Sequence, residues 1–274
     1  MKKKSFAIIG DPVAHSLSPI LHNYWFKKYK IDAEYSLLNV KEKDIESIAV
    51  RVRNGEISGL NVTLPYKQKI IPFIDKLIND AKSTNSVNTI FLDDSNTLVG
   101  ENTDVFGLQA AYLKEIIDVK NKKALIIGAG GVSPSVIFAL QKSKIKNIAI
   151  INRTYEKSIF LKKKFNSLNI LEWKSLKQEI SRFNIIINAT SLGLKNGNDF
   201  EFNFDNVKDN SIYIDTIYNP METKNLKFLK ENKIKTFNGL DMFIYQGQKS
   251  FYLWNKINPE IDDKLIDLLI SKLR

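Results

Sequence analysis

The run Ile126-Ile-Gly128-Ala-Gly130-Gly131-Val-Ser133 limits the possible folds more than any other segment of this chain. It follows an apolar strand-like stretch (124–127) and opens a helical one (134–142). Gly128 permits a tight turn. Gly130 and Gly131 let a pyrophosphate approach the backbone at a helix N-terminus, where anions are favoured. Ser133 is small enough for close helix–strand packing, and Pro134 suits a first helical turn, where its missing N–H costs nothing. A turn of this kind has meaning only between a strand and a helix, so it commits this half of the chain to βα units.

The remaining sequence keeps that rhythm. Strands are expected at 6–9, 33–40, 60–64, 148–151, 185–188 and 212–216, with a hairpin joining 87–92 to 97–100 through Asp93-Asp94-Ser95-Asn96. Helices are expected from Ser18, over 42–53, after Pro65, from Thr103 to about Ile117, after Thr154, and through the stretch from Leu240. The fold class is therefore α/β, with boundaries near residues 103 and 239 and a doubly wound Rossmann-type domain over 104–239.

Composition removes several functions. With 43% hydrophobic and 26% charged residues the chain is too apolar to be disordered. No stretch nears the ~20 apolar residues of a membrane helix, and the basic start lacks a signal-peptide core, so a cytoplasmic protein is the default expectation. There is no cysteine, which excludes disulfides, thiolate nucleophiles and Cys-based zinc sites. His15 and His22 are the only histidines and read as hydrogen-bonded structural residues; no metal is expected. Acid–base chemistry falls to Lys, Asp, Glu or Tyr. The net charge of +11 is spread over scattered lysines with acids between them, so it does not by itself call for a nucleic-acid partner.

The polar residues group into two halves. After the strand at 148–151 stand Asn152-Arg153-Thr154, with Lys157 one helical turn on. An NAD enzyme typically has an acid here to accept from the ribose 2′-hydroxyl; a guanidinium instead suits the 2′-phosphate of NADP. Thr154 also reads as a plain helix N-cap. Asn188-Ala-Thr-Ser-Leu-Gly193 ends another strand at the ligand edge of such a sheet. In the other half, Ser18-Pro19 reads as an Ncap–N1 pair, and Ser16 with Ser18 equally as a carboxylate site at a helix N-terminus. Asn61, Thr63 and Lys67 lie at the end of a buried strand, where polar groups are costly unless paired, so a polyhydroxylated ligand is an economical explanation. Asn88 and Asp104 flank the hairpin. Asp104 could stabilise a helix start or form an acid–base pair with Lys67.

These segments, in this order, resemble shikimate dehydrogenase: Gly10-Asp-Pro-Val-Ala-His15-Ser16-Leu-Ser18-Pro19, Asn61-Val-Thr63-Leu-Pro65-Tyr-Lys67, Val87-Asn88-Thr89, Asn102-Thr103-Asp104, the glycine turn, Asn152-Arg153-Thr154, Asp215-Thr-Ile-Tyr218-Asn-Pro220, Asn238-Gly239-Leu240-Asp241-Met242 and Gln246-Gly247. The resemblance implies a substrate domain (1–103, joined by C-terminal helices 240–274) and an NADP domain separated by a cleft. It implies that Ser16 and Ser18 hold the substrate carboxylate and that Asn61, Thr63, Asn88 and Gln246 hold ring hydroxyls, with Tyr218 nearby. Lys67 and Asp104 would stand at the reacting oxygen. Gly128, Ala129, Gly130, Gly131, Val132, Asn152, Arg153, Thr154 and Lys157 would bind NADP, and Thr190, Ile217 and Gly239 would line its nicotinamide. The implied reaction is NADPH-dependent reduction of 3-dehydroshikimate to shikimate in aromatic amino-acid biosynthesis. The alternatives are a quinate/shikimate relative using NAD or NADP and, from another class, a non-catalytic NADP-sensing or nucleic-acid-binding protein. Ser133, Ser86 and Gln248 depart from residues common in the family. Oligomeric state, a homodimer included, is left open.

Overall fold

The structure is a computed structural model that describes residues 3–116, 121–194, 197–201 and 204–273. The chain divides into two compact units, Met1–Gly107 with Ile244–Lys272 and Leu108–Phe243 with Leu273–Arg274. The divisions fall inside two continuous helices rather than at their starts.

In chain order the first unit contains β1 (Lys4–Gly10), α1 (Ser18–Lys28), β2 (Ala33–Asn39), α2 (Ile45–Arg53), β3 (Gly59–Val62), β4 (Lys76–Leu77), α3 (Asn79–Thr84), β5 (Thr89–Leu92), β6 (Leu98–Glu101) and the start of α4 (Thr103–Ala111). Its sheet has the order β2-β1-β3-β5-β6-β4. β1 lies parallel between β2 and β3, and β5 pairs antiparallel with β3 and β6. The expected hairpin is present; Asp93 Oδ1 accepts from the N–H groups of Ser95 and Thr97, which closes its turn.

The second unit contains β7 (Lys123–Ile127), α5 (Ser133–Lys142), β8 (Asn147–Ile151), α6 (Tyr155–Lys164), β9 (Leu168–Leu171), α7 (Leu176–Glu179), β10 (Ile185–Asn188), β11 (Ile212–Asp215), α8 (Lys224–Glu231), β12 (Lys235–Phe237) and the start of α9 (Leu240–Asn255). Its sheet is wholly parallel, in the order β12-β11-β10-β7-β8-β9. Counted within the unit from the β9 edge this is 3-2-1-4-5-6, the strand order of the dinucleotide-binding fold, whose ligands sit where that order reverses, here between β7 and β10. The near-continuous burial of β7, β8 and β10 follows from helices covering both faces of a parallel sheet.

The remainder of α9 and α10 (Asp263–Ser271) belong to the first unit. Trp254 Nε1 donates to the Ile90 carbonyl at 3.2 Å, and Trp25 Nε1 to that of Glu260 at 3.0 Å. Asp262 accepts from the Tyr24 hydroxyl and from the Leu265 N–H, so one carboxylate caps α10 and ties it to α1. Gln248 Nε2 donates to the Pro259 carbonyl at 2.7 Å, which accounts for one departure from the family pattern.

Several local expectations are corrected. No α-helix follows Pro65; the segment is a series of turns with a 3-10 turn at Ile71–Phe73. Pro72 removes an N–H there and disfavours the helical region for Ile71. The segment expected at 42–53 starts as a 3-10 turn, Glu42–Asp44, before α2. α4 ends at Ala111, and Ile117 lies outside the described residues. Thr154 occupies the N-cap of α6 without a side-chain capping bond.

His22 is the sharpest correction. It is fully buried, yet neither ring nitrogen has a hydrogen-bond partner. Its ring is held instead by stacking on Tyr35 (centroids 4.5 Å apart) and edge contact with Trp25 at 5.7 Å. Burial pushes its pKa from 6.5 down to about 3. The unfolded chain therefore binds a proton that the fold refuses, and stability falls as pH drops below 6.5, by about 1.4 kcal/mol per unit. Chemical denaturation of His22→Phe and the parent at pH 7 and 5 should show the variant gaining on the parent as acid is added. A pH-independent difference would contradict the buried neutral imidazole.

Candidate functional site

The first unit brings together side chains far apart in sequence. Lys67 sits in the turn after β3, anchored by the buried Tyr66, whose hydroxyl donates to the Val40 carbonyl at 2.7 Å. The Lys67 carbonyl accepts from the Val87 N–H at 2.8 Å, which ties this turn to the segment entering β5. Asp104 is in the first turn of α4. Lys67 Nζ and Asp104 Oδ2 are 2.6 Å apart, with side-chain exposures of 12% and 7%. The other oxygen, Asp104 Oδ1, accepts from Asn88 Nδ2 at 2.8 Å.

Asn88 orients this pair. Its Oδ1 accepts from the Thr103 N–H at 2.8 Å and from the hydroxyls of Thr89 and Thr103, so its Nδ2 must face Asp104. Nδ2 also approaches Gln246 Oε1 on α9, at 3.4 Å. Asn61, on β3, donates through Nδ2 to the Asn88 carbonyl at 2.9 Å and to hydroxyls of Thr89 and Ser250. Its Oδ1 accepts from the Tyr35 hydroxyl at 2.7 Å, whose pKa burial drives well above the ordinary phenol value. Thr63 follows β3, half-buried, with its N–H on the Ile9 carbonyl.

Ser18 is the first residue of α1 rather than its cap. Leu17 holds the N-cap position, without a side-chain capping bond, and Ser16 Oγ just before it accepts from the Ser18 N–H at 3.2 Å and donates to Ser18 Oγ at 3.0 Å. Two hydroxyls thus stand at the N-terminus of an 11-residue helix.

In the second unit the glycine turn leaves β7 toward α5. Gly128 has φ +110°, and a Cβ there would lie 2.7 Å from Thr190 Cγ2 and 2.8 Å from the Ala189 carbonyl. A Cβ at Gly130 would meet only the Ala189 carbonyl, at 3.7 Å, and Gly130 is exposed. Asn152 Oδ1 accepts from the Ala129 N–H at 3.0 Å while its Nδ2 donates to the Thr154 carbonyl, which fixes the turn to the end of β8. The Ser133 hydroxyl donates to the Gly128 carbonyl at 2.9 Å, a satisfied use of that departure; nothing in the structure explains the buried, unpartnered Ser86 hydroxyl. Arg153 and Lys157 are exposed, and no ion pair among the described residues engages either. Gly131 and Val132 are half-buried along the turn. A turn open to the approach of phosphates, with exposed cations beside it, fits a dinucleotide carrying a 2′-phosphate.

Thr190, Ile217 and Gly239 lie on neighbouring strand ends. The Gly239 N–H donates to the Ile217 carbonyl, and a Cβ at Gly239 would sit 2.3 Å from the Thr216 carbonyl, so only glycine fits. The Tyr218 ring packs 4.9 Å from that of Phe243. Among the described residues no group of three or more His, Cys, Asp or Glu could hold a metal ion.

A profile of the shikimate dehydrogenase substrate binding domain matches residues 8–90. One of shikimate / quinate 5-dehydrogenase matches residues 111–211. A shikimate dehydrogenase (NADP(+)) of Pelagibacter ubique (strain HTCC1062) is 47% identical over 97% of this chain and 99% of its own length. This chain belongs to the shikimate dehydrogenase family. Among solved members, that of Aquifex aeolicus has a TM-score of 0.88 at 33% identity, covering 99% of this chain and 98% of its own. That of Thermus thermophilus, in complex with NADP(H) and shikimate, has a TM-score of 0.85 at 27% identity, covering 99% and 98%.

Within this family member, Asp215 carries a job that residue patterns did not suggest. It ends β11 fully buried; Oδ1 accepts from Asn188 Nδ2 at 3.0 Å and the Ile217 N–H at 3.1 Å, and Oδ2 from the Thr223 hydroxyl at 2.9 Å. Asn188 Oδ1 in turn accepts from the N–H and hydroxyl of Thr190. One carboxylate thus positions both the 190 and 217 loops. In sequence it is an acid closing an apolar strand, within the segment Asp215-Thr-Ile-Tyr218-Asn-Pro220 that carries the family resemblance but gave it no role. Burial pushes its pKa from 3.8 to about 6, against the lowering effect of its hydrogen bonds. The folded carboxyl keeps a proton that the unfolded one loses, so its stabilisation is lost as pH rises from 3.8 to about 6, by about 3 kcal/mol in all. Relative to Asp215→Asn, the parent should weaken between pH 4 and 7 in urea titrations. An unchanged difference would place the ionisation elsewhere.

Proposed function

We infer that the chain catalyses the NADP-dependent interconversion of 3-dehydroshikimate and shikimate, a step of aromatic amino-acid and chorismate biosynthesis. The observation that carries this reading is the Lys67–Asp104 pair, nearly buried and held in a network of amides and hydroxyls suited to a polyhydroxylated ligand. A nucleic-acid-binding protein or a sensor has no evident need for such a pair.

Lys67 is the group that gives a proton to the ring oxygen during reduction and takes it back in reverse. Its ammonium also stabilises negative charge developing on that oxygen. Asp104 holds Nζ in place through Oδ2, and Asn88 holds Asp104 through Oδ1. Ser16 and Ser18 receive the substrate carboxylate at the α1 N-terminus. Asn61 spends both of its N–H donors inside the protein, so its remaining capacity toward a ring hydroxyl is as an acceptor through Oδ1. Thr63, Asn88, Gln246 and, by the family pattern, Tyr218 supply the other polar contacts.

Bound NADPH supplies the hydride for reduction, and NADP+ receives it in the opposite direction. The turn offers the backbone N–H groups of Gly130, Gly131 and Val132 to the pyrophosphate, those of Gly128 and Ala129 being given to the Ile151 carbonyl and Asn152 Oδ1. Asn152 keeps that turn in shape. Arg153, with Thr154 and Lys157, holds the 2′-phosphate, and Thr190, Ile217 and Gly239 border the nicotinamide. Residues 1–103 with 240–274 form the substrate domain in this reading, and 104–239 the cofactor domain. No helix among the described residues is long and apolar enough to cross a membrane; cytoplasmic residence follows from the assigned activity.

Initial rates with shikimate and quinate, each with NADP and NAD, test the assignment: shikimate with NADP should give the highest kcat/KM, and quinate with NAD leading would favour the quinate relative. Lys67→Ala should lower kcat by about 10²-fold or more with little change in KM for NADPH; near-normal turnover would remove Lys67 from the mechanism. Arg153→Ala should weaken NADPH binding and spare NADH. Equal weakening of both would refute the 2′-phosphate contact.

A further inference from the structure

Ser250 lies four residues after Gln246 on α9, on the same helix face. It is fully buried, and serine gains nothing over alanine inside a helix unless its hydroxyl is bonded. Here that hydroxyl is surrounded. It lies 2.8 Å from Thr89 Oγ1, 3.2 Å from Thr103 Oγ1 and 3.2 Å from Asn61 Nδ2, and it reaches the Gln246 carbonyl at 3.1 Å. These partners come from β3, β5, the first residue of α4 and α9. The two threonine hydroxyls contact Asn88 Oδ1, and Asn88 contacts Asp104.

We propose that Ser250 is a positioning residue for substrate recognition: its hydroxyl locks the helix that carries Gln246 to the shelf that carries Asn61, Asn88 and Asp104. The proposal rests on the shikimate dehydrogenase reading given above. The hydroxyl has one proton and two acceptor lone pairs. It accepts from Asn61 and donates to a threonine oxygen or to the Gln246 carbonyl. Its removal leaves the Asn61 amide and the two threonine hydroxyls that contact Asn88 Oδ1 to find other partners, and the tie between the Gln246 helix and this shelf is lost. Lys67 itself does not touch Ser250, so the effect falls on how the substrate is held more than on proton transfer.

Steady-state kinetics of Ser250→Ala, Ser250→Cys and Ser250→Thr test this. Cysteine keeps the shape with a much weaker hydrogen bond, so it reports on the hydroxyl should the alanine variant fold poorly. Ser250→Ala and Ser250→Cys should raise KM for shikimate about tenfold, with kcat changed less and KM for NADP within about twofold, and Ser250→Thr should recover most of the loss. An unshifted shikimate KM in both deletion variants, or equal losses for shikimate and NADP together with a fall in melting temperature, would overturn the proposal. An active parent with unaffected variants sinks this proposal alone; a parent inert toward shikimate sinks the activity reading and the proposal with it.

Discussion

The Thr103 N–H donates to Asn88 Oδ1 at 2.8 Å, and a backbone donor has no alternative polarity to offer. It dictates which end of the Asn88 amide faces Asp104. With the N–H end there, Asp104 Oδ1 is engaged and Oδ2 is left to Lys67. A reversed amide would set a carbonyl against a carboxylate and an N–H against an N–H, both uncompensated in a buried place. The ammonium–carboxylate pair is therefore directed by a helix start far along the chain from the turn that bears the lysine.

Asparagines perform the same task in the second unit. Asn152 bridges the glycine turn and the start of α6, and Asn188 bridges its own loop and Asp215. Each sits at or just beyond the end of a strand, where backbone groups leave the ladder and need new partners. An amide can give and receive at once, so a single side chain closes two loops. This is why the loops around the proposed cofactor residues hold their shape through contacts made wholly within the unit.

Much of the architecture was legible because the buried parallel strands are continuously apolar and separated by turns. The glycine turn, with the strand–helix rhythm around it, implied a doubly wound domain, and the strand order around β7 came only with the structure. Elements that escaped are short or disguised. β9 and β12 are three- or four-residue edge pieces, and α8 is lysine-rich, with its start marked only by the Thr223 cap. Among functional groups, Lys67 and Asp104 were readable as polar residues in apolar settings and as one possible acid–base pair beside a helix-start reading of Asp104; the family resemblance favoured the pair, and their contact across 37 residues needed the structure. Glu101 was not foreseen: it lies buried and accepts from the N–H groups of Asp80, Ala81 and Asn102, which seats the short α3. Ser250, Thr89 and Tyr35 likewise look like filler in sequence, since a hydroxyl shows its purpose only once its neighbours are in place.

His22 and Asp215 are buried in opposite charge logic, one a base that stays neutral down to about pH 3 and the other an acid that holds its proton up to about pH 6. Unfolding between pH 3.8 and about 6 takes up a proton at the imidazole and releases one at the carboxyl. The two exchanges nearly cancel, so together they add almost nothing to the calorimetric heat through the ionisation enthalpy of whichever buffer is chosen.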